Sequence, residues 1–449
     1  MNTSRRVLPA SDALVGYGLP RMRRKRPLKD RRAIFTLIFT AAHLAVASNL
    51  CFAADVMGAL PEEGIRWRAH VIHNISKGYD GTHTADVNGD GLPDVVSGCE
   101  EANEIVVALH PGYAKVRQPW PTVTLGPIHG PEWAMFMDLD DDGNVDVVGC
   151  SQGQSKDPSI PDGMNVFWAP AKKDYLDASK WTRAAFQPGT IMVCKPAQVD
   201  GKHGLDIITP FYWLEAPANP GNRDLSAWQR HPLPGRGAQH GGGNAMSLLW
   251  VDMNGDGHND VLANNRSLVH WFENPGPGEA QRGPWKQHVI AEKKGANPMG
   301  FKFMSVADMD RDGLTDLVVS HSDGLFIFRR LDKSGDRWEK RLMMAFGKGS
   351  ENPDLGHPKS ATAGDVDGDG ENEIICSMPW IEVKRNPRTD TWSWRRILPE
   401  REFKWKSDEV LLMDLDGDGD LDILSSREVG SQLFWVENLR WANTRRPKP

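Results

Sequence analysis

The chain has 449 residues, with 60 acidic against 53 basic side chains, a formal charge of −7, and only 8% aromatic residues. The imbalance is uneven: residues 1–53 carry ten Lys or Arg against Asp12 and Asp30, a net +8, which leaves −15 on the remainder. A field that acidic excludes nucleic acid as the main partner and suits bound divalent cations.

The first element is a targeting segment. A basic run from Arg5 to Arg32 leads into AIFTLIFTAAHLAVASNL at residues 33–50, followed by small residues at Cys51, Ala53 and Ala54. This reads as a signal peptide over residues 1–54 with a long basic leader, because the apolar run is short and interrupted by His43 for a spanning helix. It implies a secreted, periplasmic or cell-surface protein with no membrane span after cleavage. Four cysteines remain (Cys99, Cys150, Cys194, Cys376), too few and too dispersed for a disulfide framework, so they are expected as buried core thiols.

Beyond the leader the sequence repeats itself. Six segments share one pattern: ADVNGDGLPDVV from Ala85, MDLDDDGNVDVV from Met137, VDMNGDGHNDVL from Val251, ADMDRDGLTDLV from Ala307, GDVDGDGENEII from Gly364 and MDLDGDGDLDIL from Met413. A seventh, AQVDGKHGLDII from Ala197, keeps the outline but has lost most acids. Successive first positions are spaced by 52, 60, 54, 56, 57 and 49 residues. Trp67, Trp120, Trp181, Trp228, Trp285, Trp338 and Trp394 alternate with these loops, each opening a short strand-like run.

Together with further β-rich runs such as VFWAP and LFWVEN, each unit counts about four strands bounded by Gly, Pro and Asn turns. Short strands at a fixed spacing of this length predict an all-β, seven-bladed β-propeller of four-stranded blades over residues 65–440, with residues 441–449 as a tail. Since Trp67 precedes the first loop and no complete tryptophan strand follows the last, the N-terminal strand is expected to complete the C-terminal blade and close the ring.

The loops carry the chemistry. D-x-[DN]-x-D-G-x-x-[DE] sets oxygen side chains two apart around a glycine turn, the donor set of a hard cation such as Ca²⁺. The expected ligands are Asp86, Asn88, Asp90 and Asp94; Asp138, Asp140, Asp142 and Asp146; and Asp252, Asn254, Asp256 and Asp260. The later loops offer Asp308, Asp310, Asp312 and Asp316; Asp365, Asp367, Asp369 and Glu373; and Asp414, Asp416, Asp418 and Asp422. Twenty-two carboxylates in six clusters repel strongly when bare, so about six structural Ca²⁺ are expected. The Gln198 loop, with Lys202 in place of the third acid, is expected to take none. EF-hands need flanking helices, whereas VVSG, VVGC and LVVS read as strands.

These repeats resemble the FG-GAP/VCBS family of extracellular propellers, bacterial secreted forms included, to which the ligand-binding head of integrin α-subunits is also similar. The resemblance covers residues 65 to about 440 and implies loops between the first two strands of each blade that hold structural calcium.

The connections into each loop-bearing strand are rich in Gly, Pro, His and Lys and converge on one mouth of a closed ring. They supply the candidate ligand-binding residues His83, Glu132, Trp133, Lys195, His240, Lys302, Lys359 and Asp408. No catalytic residues stand out. The first reading is a monomeric binding module for a polysaccharide or extracellular protein. The others are a calcium-dependent polysaccharide lyase acting on uronate-containing glycans, and a structural cell-surface protein.

Overall fold

Gly- and Asp-rich turns cut the chain into short segments, and among the described residues every regular element longer than one 3₁₀ turn is a strand. The computed structural model describes residues 67–153, 156–235, 245–292, 300–346, 350, 358–377, 380–386, 391–398, 407, 409–429 and 431–440. The expected signal segment and tail lie outside them. No helix among the described residues is long and apolar enough to cross a membrane.

The first described strand is β1 (Trp67–His73). Then come β2 (Tyr79–Ala85), β3 (Asp94–Cys99), β4 (Glu104–Ala108) and β5 (Thr122–Leu125), followed by β6 (Pro131–Met137), β7 (Asp146–Ser151), β8 (Met164–Trp168) and β9 (Thr182–Gln187). The next set is β10 (Lys195–Ala197), β11 (Asp206–Ile208), β12 (Tyr212–Glu215) and β13 (Gln229–Pro232). After it come β14 (Ala245–Val251), β15 (Asp260–Asn265), β16 (Leu268–Glu273) and β17 (Lys286–Glu292). β18 (Phe301–Ala307), β19 (Asp316–His321), β20 (Gly324–Arg330) and β21 (Trp338–Ala345) precede β22 (Ala361–Gly364), β23 (Glu373–Cys376), β24 (Ile381–Asn386) and β25 (Thr391–Arg396). β26 (Val410–Met413), β27 (Asp422–Arg427) and β28 (Gln432–Asn438) end the series.

These strands form an all-β propeller. Its sheets are five separate four-stranded blades, β10 to β13, β14 to β17, β18 to β21, β22 to β25 and β1-β28-β27-β26, and one eight-stranded sheet in the order β5-β4-β3-β2-β6-β7-β8-β9. The expectation of seven separate blades is corrected to this extent: β2 and β6 are joined by a parallel bridge between Gly81 and Trp133. The physical reason is local. A Cβ on Gly81 would overlap the Trp133 ring, so glycine there lets the two inner strands come together.

The first strands of successive sheets touch in turn, β2 with β6, β6 with β10, and on through β14, β18 and β22 to β26; β27, beside β26, touches β2 and returns the series to its start. Cores lie between the facing sheets: Val366 and Ile375 of one sheet pack with Ile423 and Phe434 of the next. Among the described residues Cys99, Cys150, Cys194 and Cys376 are free and buried in such cores, as expected.

As expected, β1 completes the last blade, pairing antiparallel with β28 from Trp67 opposite Asn438 to His73 opposite Leu433. Charge tightens this clasp. Glu437 accepts from His70 Nε2 at 2.7 Å and from Arg117 Nη2 at 2.5 Å, and Arg117 reaches Asp416 as well. Burial alone would push the Glu437 carboxyl up, but the hydrogen bonds from His70 and Arg117 outweigh it and hold it at about 2. A carboxyl depressed in the folded state stabilises above its unfolded value, and this contribution disappears as pH falls toward about 2. Glu437→Gln is therefore expected to lower the urea midpoint above pH 5 and to converge on the parent near pH 2, read by fluorescence-detected unfolding across that range.

The same arrangement recurs. His70, His231 and His288 lie opposite Trp435, Trp213 and Trp271 across the third and fourth strands of their sheets. Each imidazole stacks on its indole, with centroids 4.7, 4.3 and 3.9 Å apart. Each Nε2 meets a glutamate two residues beyond that tryptophan, Glu437, Glu215 or Glu273, at 2.7 to 2.8 Å. W-x-E on one strand and W-x-x-H on its neighbour thus encode a cross-strand lock at the outer edge of three blades.

Candidate metal centres and the channel mouth

The acid loops join the first and second strands of each unit. The fourth loop position takes φ between +59° and +84°, at Gly89, Asp141, Gly201, Gly255, Arg311, Gly368 and Gly417. Left-handed backbone there turns the chain back on itself, so the first acid can accept from amides further on: Asp86 accepts from Gly89, Asp90 and Gly91, and Asp252 from Gly255 and Gly257.

In four loops one oxygen from each of three acids lies within 4.8 Å of the others: Asp138, Asp140 and Asp146; Asp308, Asp310 and Asp316; Asp365, Asp367 and Glu373; and Asp414, Asp416 and Asp422. These acidic clusters could hold a metal ion, and a donor set made only of oxygens fits a hard one. The fifth-position acids Asp142, Asp312, Asp369 and Asp418 stand outside these triads and accept the amides of Asn144, Leu314, Glu371 and Asp420. In the two loops with asparagine, Asn88 Nδ2 donates to Asp90 at 3.1 Å and Asn254 Nδ2 to Asp256 at 3.0 Å. In the Gln198 loop, Lys202 Nζ lies 3.0 Å from Asp200 and 2.7 Å from Glu215.

The ninth position has a second task that the sequence pattern does not announce. Asp94, Asp146, Asp206, Asp260, Asp316 and Asp422 are all fully buried. Each accepts one amide from the start of its own loop and another from at or just past the end of the third strand, at 2.7 to 3.1 Å. Burial pushes these carboxyls up to about 7 at Asp94, Asp206 and Asp316 and about 8 at Asp146, Asp260 and Asp422, with the amide bonds offsetting only part of it. Asp206 keeps both amides although its loop has Gln198 and Lys202 in place of the first and fifth acids, so this acid staples backbone whether or not an ion is bound. Glu373, one methylene longer, accepts from Val366 and Asp367 instead and turns its other oxygen to Lys384 at 3.2 Å.

Sequence reasoning missed the basic side chains at these loops. Arg223 Nε lies 2.5 Å from Asp140, Arg329 pairs with Asp310, Lys384 with Asp367 and with Asp369 at 2.7 Å, and Arg117 with Asp416. The four loops they reach are the four with gathered triads, so part of each negative charge is offset within the chain. A signal existed for two of them: Arg329 and Lys384 occupy the strand-end place that Glu215, Glu273 and Glu437 hold in other blades.

The mouth residues divide. His83 is buried and its Nδ1 accepts the Phe136 amide at 3.3 Å, a packing role. Trp133 lies on Gly81, with Lys195 Nζ 5.5 Å from its ring centroid, and both are buried. Glu132, next to Trp133 on β6, is half-buried. Lys302 Nζ donates to Pro358 O at 3.4 Å, and Lys359 pairs with Glu428 at 2.6 Å, so these two lysines enter one corner of the ring. His240 and Asp408 lie outside the described residues.

A family model of FG-GAP-like repeats matches residues 86–149 and 252–319. Among curated proteins, none matches the chain. Among solved structures, the chain is similar to BBS1N in complex with ARL6DN, at 10% identity over 85% of this chain and 97% of that one, with a TM-score of 0.50. It is also similar to an Agrocybe aegerita lectin solved for its recognition of non-reducing terminal N-acetylglucosamine, at 16% identity over 80% and 94% of the two chains, with a TM-score of 0.45. The matched segments carry the acid loops at Asp86, Asp138, Asp252 and Asp308 with the strands that flank them: these two stretches of the chain are FG-GAP-like repeats.

Proposed function

We propose that this chain is an exported, calcium-binding propeller of seven blades that acts as a binding module for an extracellular polysaccharide or protein. The seven-fold reading is supported by the seven loop-and-tryptophan units and by the eight-stranded sheet, which divides at one parallel bridge into two meanders of four. Export is supported by the basic and apolar leader, and a monomer by the closure of the last blade with the chain's own first strand.

The observation that carries the calcium reading is the recurrence of the acid triad, four times, around a ninth acid whose buried charge needs an opposite one. A dication supplies charge and coordination together, and the residues named above would hold it through carboxylate and amide oxygens. An ion that binds only the folded chain stabilises it by about 2.7 kcal/mol at a hundredfold excess over its Kd. Differential scanning fluorimetry with millimolar calcium, against excess chelator, is expected to separate the melting temperatures by several degrees; coincident curves would contradict the calcium reading. The module reading is tested with immobilised protein probed by glycan and extracellular-matrix arrays, where saturable binding without product release is the expected result.

A further inference from the structure

A cavity of about 470 Å³ opens between the outer strand β17 and the blade β18 to β21, well inside the roughly 300–1,000 Å³ of small-ligand sites. It takes none of the acid loops and none of the residues assigned to the channel mouth. Its floor is aromatic and buried, from Phe301 and Phe328, and the half-buried Trp338 forms one wall. Polar groups stand at its margin: exposed Glu292, Asp323 and Lys340, with the buried His321 between.

We infer that this cleft binds neutral sugar residues of a glycan chain, an inference that rests on the binding-module reading and names its site and ligand class. Three features select the class. The half-buried Trp338 offers a flat apolar face of the kind that the C–H face of a pyranose covers, above a floor closed by the buried Phe301 and Phe328. The margin mixes two carboxylates, an ammonium and an imidazole, groups that serve hydroxyls, which both donate and accept. His321 Nδ1 accepts the Asp323 amide at 3.0 Å, which leaves Nε2 as the donor of the neutral ring.

Charge excludes the neighbouring classes. A uronate-rich chain would meet Glu292 and Asp323 together. A cationic ligand would compete with Lys340, whose ammonium already lies 4.1 Å from the Phe326 ring centroid and 5.8 Å from that of Phe328. The cleft is also elongated, since Asp323 precedes one end of β20 while Trp338 pairs with Arg330 at the other, a shape that suits more than one ring of a chain.

The test uses the full protein and a panel of neutral oligosaccharides in isothermal titration calorimetry, with uronate oligosaccharides and an aromatic-rich peptide as controls. The parent is expected to bind at least one neutral glycan. Asp323→Asn with Glu292→Gln should weaken it at least tenfold, and Ala291→Phe, which fills the cleft, should abolish it, with melting temperatures unchanged. Equal binding by parent and variants overturns the cleft while leaving the module reading intact. Binding of only uronates or only the peptide, or of no neutral glycan at all, overturns the ligand class. If a glycan or protein found on the arrays binds elsewhere and ignores these variants, the module reading stands and this site falls.

Discussion

Deleting residues 67–73 is expected to leave a chain that does not fold to a soluble monomer, although those residues lie far in sequence from the blade they complete. The strand puts Trp67 at 8% and Ile72 at 0% exposure, and it pairs along β28 from Leu433 to Asn438. Truncating a buried Trp costs about 3–5 kcal/mol and a buried Ile about 2–5. Their sum approaches the entire stability of an ordinary domain, about 5–15 kcal/mol, before the lost ladder of β1 with β28 is counted. The deletion also removes His70 from Glu437 and uncovers a hydrophobic edge strand, a template for aggregation. Size-exclusion chromatography and far-ultraviolet circular dichroism read the result. A deletion variant that elutes as a monomer and melts within a few degrees of the parent would mean that the ring closes without its first strand.

The second large effect concerns the ninth-position acids. Asp146→Asn and Asp206→Asn are each expected to cost about 2–4 kcal/mol, because a carboxyl that accepts two buried amides is replaced by a group that offers a single oxygen and buries two N–H donors. For a propeller of this size that is a fall of roughly 2–5 °C. The two variants part in calcium. Asp206 belongs to the loop read as taking no ion, so its loss should be the same with and without chelator. Asp146 belongs to a triad, so its loss should be larger in calcium than in chelator. Thermal melts of both in both buffers give four numbers, and equal calcium dependence in the two variants would show that the staple and the ligand are not separate roles.

Much of the fold is legible in the residues themselves. A repeat of constant order, with two independent markers, dictates strands, loops and the return of the N-terminus to the last blade. All of that follows from local spacing and the need to cover sheet edges. What spacing does not convey is which side chains arrive from elsewhere. Arg117 and Arg223 reach Asp416 and Asp140 from connections in other units, and no periodicity predicts where an irregular loop sends a guanidinium.

The fusion of β2 with β6 turns on one glycine beneath one indole, a contact invisible to strand patterns. Loop chemistry alone picks out the mouth residues, and there it blurs. His83 and Lys195 have the composition of a binding site but are buried, because the first strand of each sheet packs its neighbours on both sides. Spacing makes the ninth acid a ligand, while its two backbone amides depend on register between first and third strands that spacing does not fix.

If carboxylates gathered loop after loop hold calcium and so keep the ring closed, the ion must be found with the protein. Its content after equilibration at millimolar free calcium, read by inductively coupled plasma mass spectrometry, tests this most directly. The expected value is one calcium per full acid loop, about six per chain with none at Gln198. Less than one calcium per chain, together with a melting temperature unmoved by chelator, would contradict it.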